Sequence, residues 1–253
     1  MWSLKEILEK LETQRSYVID PNAKIILTQE QLGEALSSNF EDAMEVLTDG
    51  SLLRALQAVD EPMADKLINY QRDFLSPEVL LFYLQYDLNP NLPFSYRDIA
   101  HREIRTLGEA ILAGKAEKDL LVEAMRHQLM SFYVKLKKID VSSPEIYEGV
   151  LFTERYLDTN ADVAYVTLGY YLSERKFYRF QNRRFLSVTD FYRYLAHRKL
   201  FKAFARTMEQ DLLFFGWLYY LGNGDTVEKW LKTVGEIDTL TYQEANATST
   251  EAK

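Results

Sequence analysis

Ten basic residues fall between positions 175 and 206, and only one acid, Asp190, lies among them. This stretch therefore carries a local net charge of +9, whereas the whole chain carries −8. Nine aromatic residues are interspersed with these charges. Guanidinium groups hold carboxylates and phosphates through two hydrogen bonds at once, so the composition indicates a surface for an anionic partner.

The stretch favours one class of partner, a protein with an acidic or phosphorylated surface. An RNA-binding module is the alternative, because exposed tyrosines would stack on bases while arginines follow the backbone. The acidic character of the whole chain disfavours nucleic acid. The predicted partner-binding residues are seven cations and two tyrosines: Arg179, Arg183, Arg184, Arg193, Arg198, Lys199, Lys202, Tyr178 and Tyr192.

A structural role for the same residues stays open. Arginine and lysine stems commonly lie over core aromatic residues while their charged heads remain in water. The basic surface would then face acidic helices of the same chain, or a second copy of the chain in a homo-oligomer.

The sequence holds few parts for catalysis. It has no cysteine and three histidines, and its ten glycines form no phosphate-binding motif or nucleophile elbow. We therefore expect a non-catalytic adaptor or regulatory protein with no cofactor and no metal site. The alternative is an enzyme whose site is built from scattered carboxylates and tyrosines.

The positions of these residues depend on a repeating pattern in the chain. The segment Leu84-Gln-Tyr-Asp-Leu88 recurs as Leu168-Gly-Tyr-Tyr-Leu172, and Leu32-Gly-Glu-Ala-Leu36 recurs as Leu107-Gly-Glu-Ala-Ile111. Repetition at a regular spacing is typical of stacked supersecondary units. Chance alignment of leucine-rich amphipathic helices is the competing interpretation.

Helical signals dominate the rest of the sequence. Ser3 with Glu6 and Thr28 with Gln31 form capping-box patterns, and prolines follow Ser76 and Ser143 at predicted helix starts. We predict about 12 helices, among them 116–138, 188–206 and a last one near 225–235. Aromatic or β-branched stretches at 17–27, 94–98 and 178–185 predict short hairpins.

The predicted fold is mainly α, with β-hairpins heading three degenerate repeats of about 75–84 residues that stack as one elongated domain. No stretch reaches 18 uncharged apolar residues, so we expect no transmembrane segment and a cytoplasmic location. The predicted parts are an amphipathic helix at 1–16, repeats at 17–92, 93–176 and 177–236, and a disordered tail at 237–253.

Overall fold

The computed structural model of the chain describes residues 3–20, 25–73, 76–97, 99–101, 103–208 and 210–222. Helices dominate these ranges, and the strands form three two-stranded antiparallel hairpins. The mainly helical prediction is confirmed for this part of the chain. The predicted helix near 225–235 and the predicted tail at 237–253 lie outside the described residues.

The helices follow one another along the chain as α1 (Leu4–Gln14), α2 (Gln29–Ser38), α3 (Phe40–Thr48), α4 (Ser51–Val59), α5 (Glu61–Asp73), α6 (Pro77–Leu88), α7 (Ile104–Leu112), α8 (Lys118–Arg126), α9 (Leu129–Leu136), α10 (Ile139–Ser142), α11 (Pro144–Tyr156), α12 (Ala161–Leu172), α13 (Val188–Arg198), α14 (Phe201–Met208) and α15 (Leu212–Tyr220). The hairpins pair β1 (Val18–Asp20) with β2 (Ile25–Ile26), β3 (Phe94–Tyr96) with β4 (Ile99–His101), and β5 (Tyr178–Phe180) with β6 (Arg183–Phe185).

Two predicted capping boxes are confirmed. The Ser3 side chain accepts the backbone N–H of Glu6 at the start of α1, and the Glu6 carboxylate accepts the backbone N–H of Ser3 at 2.7 Å. Thr28 and Gln31 make the same reciprocal pair at the start of α2. Such caps satisfy backbone donors that a helix start otherwise leaves unpaired.

Two predicted helices are each broken, and the predictions of unbroken segments are wrong. The segment 116–138 divides into α8 and α9 at Gln128, which has a φ of 57°. The segment 188–206 divides into α13 and α14 at Lys199, also at a φ of 57°. Lysine and glutamine rarely adopt this left-handed conformation, so no sequence signal marks either break.

The described residues form two compact units, which we call unit 1 (described residues within 1–104 and 119–144) and unit 2 (described residues within 105–118 and 145–253). In unit 1, α1 packs against α4, and the leucines on the facing sides of both helices are buried. Eight of the twelve residues of α6 are buried as well. A helix that is apolar all round is typical of a central core element.

In unit 2 the central helix is α12, which packs against α15. A Cβ atom at Gly216 would lie 2.6 Å from Val166 Cγ1, so the two helices approach closely where α15 has no side chain. The hairpin β5–β6 and helices α13 to α15 enclose an aromatic cluster, defined as Tyr178, Phe180, Phe185, Phe191, Phe204, Phe214 and Trp217. This cluster is the support for the basic stretch.

Several helices and strands recur along the chain at the same spacing in residues that separates Leu84 from Leu168. The bounds of α6, β3 and β4, each shifted by this interval, are those of α12, β5 and β6, and the first residue of α7 shifts onto the first residue of α13. Nine of the twelve residues of α12 are buried, at nearly the same places as in α6.

None of the described helices is long and apolar enough to cross a membrane.

Two buried tyrosines occupy corresponding places in α6 and α12 but differ in hydrogen bonding. The Tyr86 hydroxyl donates to the Pro93 carbonyl at 2.7 Å and accepts the backbone N–H of Ser95 at 2.9 Å. The Tyr170 hydroxyl is buried and has no hydrogen-bond partner among the described residues.

We therefore expect opposite results from the same substitution at the two sites. Tyr86→Phe should lower the free energy of unfolding by about 1–3 kcal/mol, because it leaves buried backbone groups unpaired. Tyr170→Phe should change it by less than about 0.5 kcal/mol or raise it, because no bond is lost. Urea unfolding monitored by far-UV circular dichroism measures both, and equal losses would contradict this account.

Candidate functional site

The candidate site is built on the third hairpin. Its strands β5 and β6 are joined by Gln181 and Asn182, which have φ values of 45° and 62°. A two-residue turn with positive φ at both positions is the type I′ turn that fits the twist of a hairpin. This tight turn fixes the register, in which Arg179 lies opposite Arg184 and Phe180 lies opposite Arg183.

Side chains alternate between the two faces of this hairpin. Tyr178 and Phe185 are opposite each other, and both are buried in the aromatic cluster. Arg179 and Arg184 are the next pair and are both exposed. The core therefore holds one face of the hairpin in place, and the other face presents two guanidinium groups to solvent.

Helix α13 supplies the second wall of the site. Its N-cap is Ser187, whose side chain accepts the backbone N–H of Asp190 at 3.2 Å. Phe191 and Leu195 are buried on its inner face. The outer face carries side chains at spacings of three and four residues, as one side of a helix requires: Asp190, Arg193, Tyr194, His197 and Arg198.

The hairpin and α13 together line an open cavity of about 540 Å³. We call it the basic groove. Four arginines and one histidine line it, against a single carboxylate. The full set of lining residues is Arg183, Arg184, Phe185, Leu186, Asp190, Arg193, Tyr194, His197 and Arg198.

Aromatic rings hold the two hairpin arginines of the groove. The guanidinium carbon of Arg183 lies 5.1 Å from the centroid of the Tyr194 ring, and that of Arg184 lies 4.6 Å from the Phe177 ring. Stacking of this kind restricts a long side chain without using its N–H donors. The donors therefore stay available for an anionic group in the groove.

Carboxylates neutralise little of this charge. Asp190 pairs with Arg193 at 3.7 Å, and both side chains are well exposed, so the pair contributes little. Arg183, Arg184 and Arg198 form no ion pair with any described residue. Arg179 and Arg184 face each other across the hairpin, and like charges directly opposite are unfavourable in a sheet.

The structure brings together some of the predicted partner-binding residues and separates others. Arg183, Arg184, Arg193 and Arg198 line the basic groove. Arg179 is exposed on the same face of the hairpin as Arg184 but does not line the groove. The remaining cations, Lys199 and Lys202, are exposed at the break between α13 and α14 and on α14, outside the groove lining.

The two predicted tyrosines do not line the groove. The expected exposure of Tyr178 is wrong, because its side chain is 2% exposed and its ring stacks on Trp217 at 5.5 Å. Its hydroxyl donates a hydrogen bond to the Asp211 carboxylate. Burial is the main cause that raises the pKa of this hydroxyl, and the hydrogen bond to Asp211 raises it further. Tyr192 is half-buried, with its ring 5.0 Å from that of Phe201.

Sequence reasoning did not assign Leu186, Tyr194 and His197 to the site. Leu186 is 69% exposed and lines the groove. Tyr194 and His197 follow Asp190 at spacings of four and seven along α13. That helical spacing was the signal that would have placed them beside Arg193.

Within the described ranges, no group of three or more histidine, aspartate or glutamate side chains is arranged to hold a metal ion. Comparison of the chain with protein-family models, with curated proteins and with solved structures gives no match. Inference about function therefore rests on the geometry and charge of the site itself.

Proposed function

We propose that this protein is a non-catalytic adaptor or regulatory subunit that binds an acidic or phosphorylated segment of a partner protein in the basic groove. One observation carries the proposal: four arginines converge on one cavity, and three of them have no carboxylate partner among the described residues. Planar guanidinium groups fit carboxylate and phosphate oxygens in pairs. The cytoplasmic location expected from the sequence belongs to the same proposal.

The groove also contains apolar surface. Leu186 and the rings of Phe185 and Tyr194 line it beside the arginines. A protein segment has both anionic and apolar side chains and matches such a mixture. The buried Tyr178 is unavailable for stacking on bases, which removes one of the two residues that favoured RNA.

We further propose that the chain consists of three repeats, at 17–92, 93–176 and 177–236, between the helix at 1–16 and the tail at 237–253. Two close contacts support this. A Cβ at Gly33 would lie 2.8 Å from Asn89 Cβ, just past the end of α6. At Gly108 a Cβ would lie 2.7 Å from the Leu172 carbonyl carbon and would meet the backbone nitrogen of Ser173, just past the end of α12.

These two contacts correspond to the segments that recur in the sequence. Gly33 and Gly108 are the matching glycines of the two Leu-Gly-Glu-Ala segments. Asn89 directly follows the segment that begins at Leu84, and Ser173 directly follows the matching segment that begins at Leu168. The same backbone approach therefore recurs between the first helix after a hairpin and the central helix that precedes the next hairpin. Only glycine leaves room for backbones this close.

A double variant tests the binding proposal. Arg183→Gln with Arg184→Gln should weaken binding of a fluorescein-labelled peptide of glutamates around one phosphoserine by about tenfold or more. Fluorescence anisotropy on the full chain measures the dissociation constant. Affinity of the parent should also fall with added sodium chloride, since exposed charges are screened.

The matched control is Lys115→Gln with Arg126→Gln, which removes the same charge from exposed sites outside the groove. We expect this control to bind within about twofold of the parent. Equal binding by the groove variant and the parent would overturn the proposal. Tighter binding of oligouridylate RNA than of the peptide would overturn it in favour of nucleic acid.

Sedimentation equilibrium distinguishes a foreign partner from a second copy of the chain. A self-association that the groove variant abolishes and the control preserves would assign the groove to a homo-oligomer and overturn the foreign-partner proposal. A parent that stays monomeric at the concentrations of the peptide assay supports the foreign partner.

A further inference from the structure

Unit 2 contains a second cavity of opposite chemical character, with a volume of about 430 Å³. Three helices build it. Helix α11 supplies four of the lining residues, and the others come from α12, α15 and the turn just after α15. The lining residues are Glu145, Glu148, Gly149, Phe152, Tyr171, Tyr219 and Gly222. We call it the acidic aromatic pocket.

One face of α11 forms the floor of this pocket. Glu145, Glu148, Gly149 and Phe152 follow one another at spacings that place them on the same side of the helix. The buried residues of α11 are Gly149, Val150 and Thr153. The pocket face therefore adjoins the buried face of α11 and shares Gly149 with it.

Gly149 lets an aromatic ring lie directly on this helix. A Cβ atom at position 149 would overlap the ring carbons of Tyr171. Burial raises the pKa of the Tyr171 hydroxyl, and electrostatic interaction with Tyr220 and Glu148 acts in the same direction.

The other rings are also held in place. Phe152 stacks on Tyr219 with centroids 6.1 Å apart and planes at 27°. The hydroxyls of Tyr156 and Tyr219 are 2.6 Å apart and share a hydrogen bond. Phe152 is 37% exposed, so part of its ring meets solvent at the pocket. Rings from three helices thus line an open space that carries two carboxylates.

Glu145 and Glu148 are exposed and form no ion pair with any residue that the structure describes. The neighbouring cation is Lys176, whose ammonium donates to the carbonyls of Tyr170 and Tyr171 at 2.7 and 3.0 Å. It lies 4.9 Å from the centroid of the Tyr220 ring. The fold thus already places one ammonium against a tyrosine face near Glu145.

Burial lowers the pKa of Lys176, and Glu145 acts in the opposite direction. Two hydrogen bonds to the last carbonyls of α12 keep this ammonium at the helix end. It therefore leaves Phe152, Tyr171, Tyr219 and both carboxylates available to another cation.

We propose that the acidic aromatic pocket binds an alkylammonium group. The negative faces of aromatic rings attract cations, and quaternary ammonium groups are the ligands that cages of such rings accommodate best. Glu145 and Glu148 add attraction that an uncharged ligand of the same shape lacks. The proposal does not depend on the basic groove, whose charge is of the opposite sign.

The test compares choline with its neutral isostere 3,3-dimethylbutan-1-ol, in which carbon replaces the charged nitrogen. In the full chain labelled with carbon-13 in its tyrosine and phenylalanine rings, choline should shift ring resonances saturably, and the alcohol should not. Phe152→Leu and Glu148→Gln should each weaken choline binding by about fivefold or more, because one loses a ring and the other a charge.

Leu186→Ala, which changes the basic groove instead, is the control and should leave choline binding unchanged. Equal shifts with choline and the alcohol, or parental binding by both pocket variants, would overturn the proposal. If Glu148→Gln proves poorly folded by its NMR spectrum, Glu145→Gln serves as the charge variant.

The source of the alkylammonium group is distinguished by a second comparison. Nα-acetyl-trimethyllysine amide binding more tightly than choline would assign the pocket to a methylated lysine side chain of a protein. Choline binding more tightly would assign it to a small free quaternary ammonium compound. Both outcomes require the same recognition chemistry and support the proposal.

Discussion

Phe191→Ala is expected to lower the free energy of unfolding by about 3–5 kcal/mol, the usual cost of removing a large side chain from a packed core. Phe191 is fully buried at the centre of the aromatic cluster. Its ring centroid lies 5.0 Å from those of Phe185 and Phe204, and 5.3 Å from that of Tyr178. Alanine would leave a cavity among rings that cannot easily close it.

The measurement is urea unfolding, followed by near-ultraviolet circular dichroism of the aromatic residues. Phe191→Leu should cost less, because most of the volume is retained. Leu186→Ala is the control on the neighbouring surface and should change stability by less than about 0.5 kcal/mol, since Leu186 is exposed. A loss under about 1 kcal/mol for Phe191→Ala would contradict the packing described here.

This prediction also concerns the basic groove. Phe191 lies on the inner face of α13, and Arg193 and Tyr194 lie on the outer face. Removing its ring should disturb the groove through the position of α13, so binding and stability should fall together. The double variant of Arg183 and Arg184 should lose binding while keeping its stability, because both side chains are exposed.

Gly108→Ala is the second change with a large expected effect. An added Cβ would meet the backbone at the end of α12, 2.7 Å from the Leu172 carbonyl carbon. Backbone atoms cannot move aside as a flexible side chain does, so α7 must shift away from α12. We expect a loss of about 2–3 kcal/mol, after the higher helix propensity of alanine has offset part of it.

Gly114→Ala is the matched control in the same part of unit 2. No atom lies within 4 Å of a Cβ there, but the φ of Gly114 is +66°. It should therefore cost only about 1 kcal/mol, the penalty of a left-handed alanine. Differential scanning calorimetry on both variants checks the order. A Gly108→Ala protein as stable as the parent would show that α7 and α12 are not in close contact.

Local signals in the sequence account for much of what could be predicted. Capping patterns at Ser3 and Thr28 marked two helix starts, because a cap is made between residues close in sequence. The breaks at Gln128 and Lys199 gave no such signal. Each places a residue with a side chain in the left-handed region, and tertiary packing must offset that cost. Packing of this kind is not visible in one sequence.

Part of the candidate site could also be predicted from the sequence. Charge density alone pointed to Arg183, Arg184, Arg193 and Arg198, which line one groove. Tyr178 was misplaced because the hairpin register was unknown, and this register puts it opposite Phe185 on the buried face. The acidic aromatic pocket was missed, because its rings come from three helices and α15 is distant in sequence from α11 and α12.

The opposed pair Arg179 and Arg184 has a consequence for the stability of the hairpin and for the proposed binding of an anionic partner. Two guanidinium groups directly opposite each other destabilise the unliganded hairpin, and an anion bound to Arg184 in the basic groove would reduce that penalty. Part of the free energy of the proposed binding would then come from relieving the repulsion between these two arginines. Replacing Arg179 or Arg184 with threonine should stabilise the hairpin, and the replacement of Arg184 should also weaken the proposed binding.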